Sequence, residues 1–370
     1  MERPKTSHRD HAALHDQIQR WLANRVDGPV VSDLEVPPSN GMSSETVMFE
    51  AAWFEGGLRR VQRCVLRLPP DAAAEPVFPT YDMARQYKAM DLVGRRTHDS
   101  AIPVPVPPLL WLEEDPQYLG APFFVMRRVD GLVPPDIMPY TFGDNWLFDA
   151  APEDQRALQD ASIAVVAGIH QISADEPPAD KADPGKSALR RHVTAQRSYY
   201  RWVVRDGMRS PMIERAFDWL IANWPAEPPA VVSWGDARIG NIIYRDFQPV
   251  AVLDWEMAGL GPREVDLGWM IYLHRFFQDL AEQMGMPGMP DFMLLDDVVE
   301  SYERMSGYKP QDLRFYILYA ALRQAIIMSR ITRRQVHFGE AEMPTDPDHT
   351  FMHHRSLDAM LDGSYWRKLW

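Results

Sequence analysis

The amino-acid sequence predicts an α+β protein with a small strand-rich amino-terminal part and a larger, mostly helical carboxy-terminal part. Two observations carry this prediction. Strand-like segments at 30–36, 46–54 and 60–68 follow one another early in the chain, separated by the turn-rich stretches S-N-G-M-S-S and E-G-G. After Asp130 the apolar residues recur mainly at helical spacing.

The individual elements follow from the same patterns. Leu14, Ile18 and Leu22 lie at helical spacing and predict an amphipathic helix over 9–25. A second helix is predicted at 80–93, followed by a proline-punctuated stretch and the apolar strand P-F-F-V-M. Further helices are predicted at 152–171, 187–206, 211–223 and 311–334, and helical patterns resume from 264 onward.

The chain has 370 residues, enough for two lobes that each hold a sizeable core. The change from strand patterns to helix patterns follows the apolar strand P-F-F-V-M. We therefore predict an amino-terminal lobe over 1–128, which includes the first helix, and a carboxy-terminal lobe over 129–370.

Composition narrows the class of protein. Hydrophobic residues make up 46% and charged residues 25% of the chain, which is ordinary for a soluble globular protein. The net charge of -13 argues against nucleic-acid or anionic-membrane binding, since both need basic surface. No run approaches the roughly 18 apolar residues of a membrane span, and the amino terminus lacks the apolar core of a signal peptide. Cys64 is the only cysteine, which excludes an intramolecular disulfide, and we expect a cytoplasmic protein.

The segment V-V-S-W-G-D-A-R-I-G-N-I-I-Y, residues 231–244, places polar side chains between two apolar strands. Asp236 and Asn241 lie five positions apart, and Asp254 follows a third strand. The strands at 241–244 and 250–253, joined by the turn F-Q-P, form a predicted hairpin, so Asn241 and Asp254 converge on one point. A polar turn with local caps would explain any one of these residues, but three at this spacing indicate a site.

The residue types point to a particular chemistry. Oxygen ligands from Asn241 and Asp254 suit a hard cation such as Mg²⁺, which binds substrate phosphates as well. Asp236 lies just outside this pair, where it can accept a proton from a hydroxyl that attacks the phosphate. A loop aspartate, an asparagine five residues later and a metal-binding aspartate after the next hairpin form the layout of phosphoryl transfer in protein kinases.

S-W-G-D-A-R-I-G-N-I-I-Y, followed by P-V-A-V-L-D-W-E-M-A-G-L-G-P-R-E-V-D-L-G, resembles the aminoglycoside phosphotransferase family. This kinase-like group also includes choline kinases and the kinase-like domains of some acyl-CoA dehydrogenases. The resemblance spans about 39–269 and implies a bilobal protein-kinase-like fold, with a nucleotide-binding first lobe and a catalytic, substrate-binding second lobe. It implies Asp236 as the base, Asn241 and Asp254 as Mg²⁺ ligands, and Arg238 near the transferred phosphate. Asp266 resembles the structural aspartate of the family.

The resemblance also implies nucleotide-binding residues in the first lobe. Arg67 occupies the position of the phosphate-binding lysine of kinases, and Gln86 that of its partner glutamate. Ser43 and Ser44 fall in the loop that would cover the phosphates. The strand P-F-F-V-M would join the lobes, so that Met126 borders the adenine and the backbone near Arg128 hydrogen-bonds it.

One residue departs from the family within the catalytic segment. The family usually has a histidine before the Gly-Asp pair, where this chain has Trp234. That histidine mainly supports the loop, so we expect Trp234 to hold the loop by packing.

The resemblance implies transfer of the γ-phosphoryl group of ATP, or GTP, to a hydroxyl of a small-molecule acceptor, with Mg²⁺ as cofactor. Two alternatives remain open from the sequence: a nucleotide-binding module without transferase activity, and transfer of a nucleotidyl group. The sequence offers no chemical code for the acceptor and none for the oligomeric state.

Overall fold

The computed structural model describes residues 9–37, 44–174, 185–205 and 207–368. The chain divides into two compact units. Unit 1 comprises Met1–Asp91 and Pro107–Asp130, and unit 2 comprises Leu92–Val106 and Gly131–Trp370. Unit 1 is built mainly on a sheet and unit 2 mainly on helices, which confirms the predicted α+β class.

Unit 1 contains a five-stranded antiparallel sheet in the order β1-β2-β3-β5-β4. Its strands are β1 (Asp27–Val31), β2 (Glu45–Glu55), β3 (Leu58–Leu68), β4 (Leu109–Glu113) and β5 (Phe123–Arg127). Helix α1 (His11–Ala23) precedes the sheet, and helix α2 (Met83–Thr97) begins in unit 1 and ends in residues counted with unit 2.

The core of unit 1 forms between α1 and one face of the sheet. Leu14, Ile18 and Leu22 lie on the buried side of α1, as their helical spacing predicts, and pack with alternate residues of β2 and β3. Trp21 is fully buried beside them and donates its indole N–H to Glu113 Oε2 on β4 (3.1 Å). The periodicity of α1 and the alternation of the strands therefore specify the same core.

The strand predicted at 30–36 is wrong in its bounds, because β1 covers Asp27–Val31. After Val31 the Ser32 hydroxyl accepts the backbone N–H of Glu50 (2.9 Å), so a side chain replaces the ladder carbonyl and regular pairing stops. Beyond Val31, the Ser32 N–H donates to the Glu50 carbonyl (2.9 Å), and an isolated bridge joins Glu35 to Met48. Strand β4 lies in the proline-punctuated stretch before P-F-F-V-M, where no strand was predicted.

Unit 2 contains seven further helices and four short strands among its described residues. The helices are α3 (Pro152–Ile169), α4 (Ala188–Val203), α5 (Pro211–Ala222), α6 (Arg263–Gln283), α7 (Leu295–Ser306), α8 (Leu313–His337) and α9 (His354–Asp362). The strands are β6 (Val231–Ser233), β7 (Ile242–Arg245), β8 (Gln248–Val252) and β9 (Gly259–Gly261). Strand β6 pairs with β9 and β7 pairs with β8, both antiparallel.

The hairpin predicted from the motif is present as β7–β8, but its turn differs from the prediction. The turn residues are Asp246 and Phe247, with φ of 50° and 60°, rather than F-Q-P. Two successive residues of positive φ match the twist of a tight hairpin, so β8 already begins at Gln248. The ladder pairs Ile242 with Val252, which brings the two ends of the hairpin together.

No helix in the described ranges has both the length and the hydropathy needed to cross a lipid bilayer.

His274 on α6 is a buried titratable group inside unit 2. Its Nδ1 lies 3.0 Å from the Tyr140 hydroxyl, and the two rings are stacked. Burial, and then the charge of Arg275, lower the pKa of His274 from 6.5 to about 3. The folded protein therefore keeps this ring neutral at mildly acidic pH, where the unfolded chain takes up a proton.

We predict that His274 makes the protein less stable as the pH falls below about 6.5. Because the unfolded state binds the extra proton, the free energy of unfolding should drop as the pH falls, with a slope that approaches about 1.4 kcal/mol per pH unit below about pH 6 through this residue alone. Urea unfolding between about pH 7 and pH 5 measures the slope. His274→Gln should flatten it by that amount, whereas the same change at the exposed His98 should not. An unchanged slope in His274→Gln would refute the assignment.

Candidate active site

The loop between β6 and β7, residues 234–241, carries the predicted base and is called the site loop below. It begins with a sharp turn at Gly235, whose φ is +87°. A Cβ atom built on this glycine would lie 2.2 Å from the carbonyl oxygen of Met257. Both the positive φ and the close approach require glycine at this position.

Asp266, in the first turn of α6, anchors the start of the site loop. Its Oδ1 accepts hydrogen bonds from the Gly235 N–H (2.8 Å) and the Ser233 hydroxyl (2.9 Å). Its Oδ2 accepts the Trp234 N–H (2.8 Å) and lies 3.0 Å from Nε2 of His170. Burial acts to raise the pKa of this carboxyl, but the hydrogen bonds, led by that of His170, lower it below the usual value.

Asp236 is held by donors on both carboxylate oxygens. The indole N–H of Trp269, on α6, donates to Oδ1 (2.6 Å). The side-chain amide of Asn241 donates to Oδ2 (2.6 Å), and Nε of Arg238 lies 3.2 Å from the same oxygen. The structure therefore brings Asp236, Arg238 and Asn241 together. The side chain of Asp236 keeps 14% of its surface exposed, so a bound molecule could still reach it.

Arg238 lies between two carboxylates, because its guanidinium also forms an ion pair with Asp136. Burial acts to lower the pKa of Arg238, but the charges of Asp136 and then Asp236 outweigh it and raise that pKa. The arginine is thus a permanent cation beside the predicted base.

Asn241 and Asp254 leave from the paired ends of the β7–β8 hairpin. The backbone N–H of Leu253 donates to the Asn241 carbonyl (2.8 Å), and Asp254 is the next residue. Asp254 has a φ of +59°, in the left-handed region that aspartate and asparagine tolerate better than most residues. A strained backbone at such a position often marks a functional residue.

The donor set of this hairpin end fits Mg²⁺. Since the Asn241 amide nitrogen faces Asp236, its side-chain oxygen points away from that carboxylate, and oxygen is the ligand that Mg²⁺ prefers. In the part of the chain that the structure describes, no group of three His, Cys, Asp or Glu side chains could hold a metal. A cation at Asn241 and Asp254 would therefore need water or phosphate oxygens as further ligands, as Mg²⁺ commonly has.

Trp234, which stands where the family has histidine, is fully buried and packs against Trp255 with ring centroids 6.0 Å apart. Its indole N–H also donates to the carbonyl of Leu253 (2.9 Å). Trp234 thus connects the start of the site loop to the peptide that precedes Asp254, through a hydrogen bond as well as by packing.

In unit 1, Arg67 donates from Nη1 to the Thr46 hydroxyl (2.6 Å) and from Nη2 to the Ser44 hydroxyl. The β2–β3 register places Arg67 opposite Thr46. Gln86 is buried on α2, and its amide nitrogen has no hydrogen-bond partner among the described residues. The structure therefore joins Arg67 to Ser44 but does not pair it with Gln86. Ser43 lies outside the described residues.

Met126 and Arg128 lie at the end of β5. Met126 is buried and pairs with Val65. The Arg128 N–H donates to the Arg63 carbonyl (2.9 Å), and its side chain contacts Glu35 and Asp130. Because this N–H already donates to Arg63, a nucleobase bound beside Arg128 could donate to its carbonyl oxygen but could not accept from its N–H.

The motif did not reveal four residues that contact the site loop or its anchor: Asp136, His170, Trp269 and Arg323. Each lies between 33 and 102 positions along the chain from its partner in the site loop or from Asp266, so no local sequence pattern predicts the contact. Only Trp269 had a signal in the sequence, since it directly follows D-L-G, the last residues of the segment that resembles the family.

Comparison with known proteins identifies the family and the fold of this chain. The model of the family described as "Phosphotransferase enzyme family" matches residues 37–289. A protein of Arabidopsis thaliana named probable acyl-CoA dehydrogenase IBR3 is 24% identical over 343 residues, which cover 88% of this chain. This chain spans only 39% of that relative's length. The similarity that the sequence predicted, including that to acyl-CoA dehydrogenases, is confirmed.

Two solved structures share the fold. A Ralstonia eutropha protein classed with the aminoglycoside phosphotransferases has a TM-score of 0.63 and 22% identity, covering 95% of this chain and 97% of that one. A thermostable mutant of the aminoglycoside phosphotransferase APH(4)-Ia, solved with ADP and hygromycin B, has a TM-score of 0.57 and 18% identity, covering 94% and 98%. The predicted protein-kinase-like fold is therefore confirmed.

We predict that Gly235→Ala destabilises the protein much more than Gly285→Ala. Both glycines have positive φ, but a Cβ at Gly285 would meet nothing within 4 Å. Gly285→Ala should cost roughly 1–2 kcal/mol for the left-handed backbone alone. Gly235→Ala should cost about 1–3 kcal/mol more, because the new methyl overlaps the Met257 carbonyl. Chemical denaturation of both variants tests this, and equal costs would show that the loop can move away from Met257.

Proposed function

Because this chain belongs to the phosphotransferase enzyme family, we propose that it transfers the γ-phosphoryl group of ATP, or GTP, to a hydroxyl of a small molecule. The observation that carries the proposal is the fixed carboxylate of Asp236. Trp269 holds one of its oxygens, while Asn241 and Arg238 hold the other. A group fixed on three sides and still partly exposed is suited to orient a reacting hydroxyl.

The reaction is a single displacement. The acceptor hydroxyl oxygen attacks the γ-phosphorus, the bond from that phosphorus to the β–γ bridging oxygen breaks, and the nucleoside diphosphate leaves. Asp236 accepts the hydroxyl proton. No covalent intermediate with the protein is needed, so catalysis consists of positioning and charge neutralisation.

Within unit 2, Asn241 and Asp254 would supply oxygen ligands to Mg²⁺, which when bound neutralises charge on the phosphate oxygens. Arg238 adds a cation on the same loop, and its two carboxylate partners hold it in place. Asp136 therefore serves to position Arg238. The arrangement would put positive charge where the phosphoryl group carries negative charge.

Within unit 1, we assign the nucleotide to residues that the family resemblance indicated. The Arg67 guanidinium presents a planar fork suited to phosphate oxygens and is oriented by Ser44 and Thr46. Met126 would border the base, and the carbonyl of Arg128 would accept from it. The buried amide nitrogen of Gln86, which has no hydrogen-bond partner in the described part of the chain, is a further candidate donor, and Ser43 completes the proposed set.

The acceptor is a small molecule with a hydroxyl group. The solved neighbour binds hygromycin B, whereas the sequence relative is named an acyl-CoA dehydrogenase. The two names suggest different classes of substrate, and the fold alone does not select between them. A screen of ATP consumption over aminoglycosides, amino alcohols, sugars and hydroxyacyl thioesters would identify the acceptor class.

We predict that ATP stabilises the protein only together with Mg²⁺ or Mn²⁺. A ligand bound by the folded state alone raises stability by about 2.7 kcal/mol at a hundred times its dissociation constant. Thermal unfolding with ATP, with and without metal, measures the effect. Asp254→Asn should remove most of the metal-dependent part, while Asp246→Asn, in the exposed hairpin turn, should keep it. The absence of any shift in the parent protein would contradict nucleotide binding.

We predict that Asp236→Asn lowers turnover by roughly 10²–10⁴ and changes the affinity for Mg·ATP little, because the carboxylate acts on the acceptor. Steady-state kinetics with the acceptor found by the screen, together with calorimetric titration of nucleotide, separates the two quantities. Asp246→Asn is again the matched control. Equal turnover in Asp236→Asn and the parent protein would refute the role of Asp236 as the base.

The same experiments distinguish the alternatives. If ATP and metal bind but no acceptor is phosphorylated, and Asp236→Asn changes nothing, the protein is a nucleotide-binding module. Mass spectrometry of the product separates phosphoryl transfer from nucleotidyl transfer, since only the latter attaches the nucleoside.

A further inference from the structure

Helix α8 buries an arginine directly behind the site loop. Arg323 has only 1% of its surface exposed. Its Nη2 donates to the carbonyl oxygen of Gly235 (2.7 Å), the residue that precedes Asp236. Its guanidinium carbon lies 4.3 Å from the centroid of the Trp269 ring, within the range of a cation–π contact.

This arginine is costly to bury. Among the described residues it forms no ion pair with a carboxylate, and its Nε and Nη1 have no hydrogen-bond partner. Burial lowers the pKa of its guanidinium, an effect opposed by the charges of Tyr319, Asp266 and Asp236. A neutral side chain of similar length would fill the same space without burying a charge. Packing alone therefore does not account for arginine at this position.

Besides a contact with the Tyr319 ring, whose centroid lies 6.0 Å from its guanidinium carbon, Arg323 has two contacts that lead to Asp236. The Gly235 carbonyl belongs to the peptide bond that joins Gly235 to Asp236, so the hydrogen bond fixes the backbone from which the carboxylate projects. Trp269, which receives the cation on its ring face, donates its indole N–H to Asp236 Oδ1 (2.6 Å). A cation over the ring withdraws electron density from the indole, which strengthens its N–H as a donor.

We propose that Arg323 is a positioning residue, which orients the Asp236 carboxylate through the Gly235 carbonyl and the Trp269 ring. It touches no reacting atom. The structural part of this inference concerns the hydrogen bond between Trp269 and Asp236, whereas its kinetic part rests on the proposed function.

The structural part can be tested without activity. The chain has 12 tryptophans, whose indole N–H groups give separate NMR signals after selective ¹⁵N labelling. Trp269→Phe assigns the signal of Trp269, and Asp236→Ala shows how far that signal moves upfield when the carboxylate is lost. Arg323→Met should move it upfield by a large part of that displacement, with the other indole signals in place. Arg323→Lys, which keeps the cation, should move it less.

Arg314→Met is the matched control for this experiment. Arg314 lies on the same helix, is exposed, and stacks on Trp366 at 5.9 Å, so its loss should leave the Trp269 signal unchanged. If Arg323→Met does not fold, the neutral Arg323→Gln takes its place. A Trp269 signal that stays at its original position in the folded neutral variant would overturn the proposal.

The kinetic arm asks whether this positioning matters for turnover. Arg323→Met should lower kcat by about 10²-fold, the effect of a small displacement of a catalytic group, while KM for ATP and the melting temperature change little. In the Asp236→Asn background the same substitution should have almost no further effect, because both act through one carboxylate. Full additivity of the two losses would show that Arg323 acts elsewhere and would also overturn the proposal.

The two arms separate the possible failures. A displaced Trp269 signal in a protein that phosphorylates no acceptor would support the positioning role and count against the proposed function. An active enzyme with an undisturbed Trp269 signal in Arg323→Met would support the proposed function and refute the role of Arg323.

Discussion

The site loop depends on one buried carboxylate, that of Asp266. A buried charge is unfavourable unless donors surround it, and here the backbone N–H groups of Trp234 and Gly235, the Ser233 hydroxyl and His170 do so. The two N–H groups belong to the turn itself, so the carboxylate fixes the backbone conformation that glycine makes possible. Its position in the first turn of α6 adds the favourable field of a helix amino terminus. The turn, the helix and the strand before them are thus held at one point.

The anchoring of the site loop by Asp266 also affects the predicted base, Asp236, and the predicted metal ligand, Asp254. Helix α6 also carries Trp269, whose indole holds Asp236 from one side. Trp234 donates to the Leu253 carbonyl, so the loop that presents the base is tied to the hairpin end that presents Asp254. Trp234, at the position where the family resemblance implied a histidine, therefore makes a polar connection within the site, because its indole N–H supplies a donor. Packing against Trp255 fills the remaining space.

Charge in the site is distributed as an alternation of carboxylates and cations. Asp136 and Asp236 flank Arg238, and Arg323 lies behind Trp269 without a carboxylate partner among the described residues. The positive φ of Asp254 adds backbone strain at the predicted metal ligand. Local choices of this kind lower stability, and proteins retain them mainly where function requires a fixed geometry. The core of unit 1, where α1 and the sheet follow simple periodicity, contains no such compromise in its apolar cluster.

The sequence by itself determined the strand-rich and helical parts and the hairpin, and it predicted Asp236, Asn241 and Asp254 as candidate site residues. All of these are local features, since apolar periodicity sets the elements and a short hairpin brings Asn241 and Asp254 to neighbouring strand ends. Only the tertiary structure decided that Asp136, His170, Trp269 and Arg323 support the loop, that Arg67 contacts Ser44 rather than Gln86, and that β1 ends at Val31. Most of these contacts join residues far apart in the chain. The type of a side chain does not reveal which distant residue it contacts, because the packing of the helices and strands decides that.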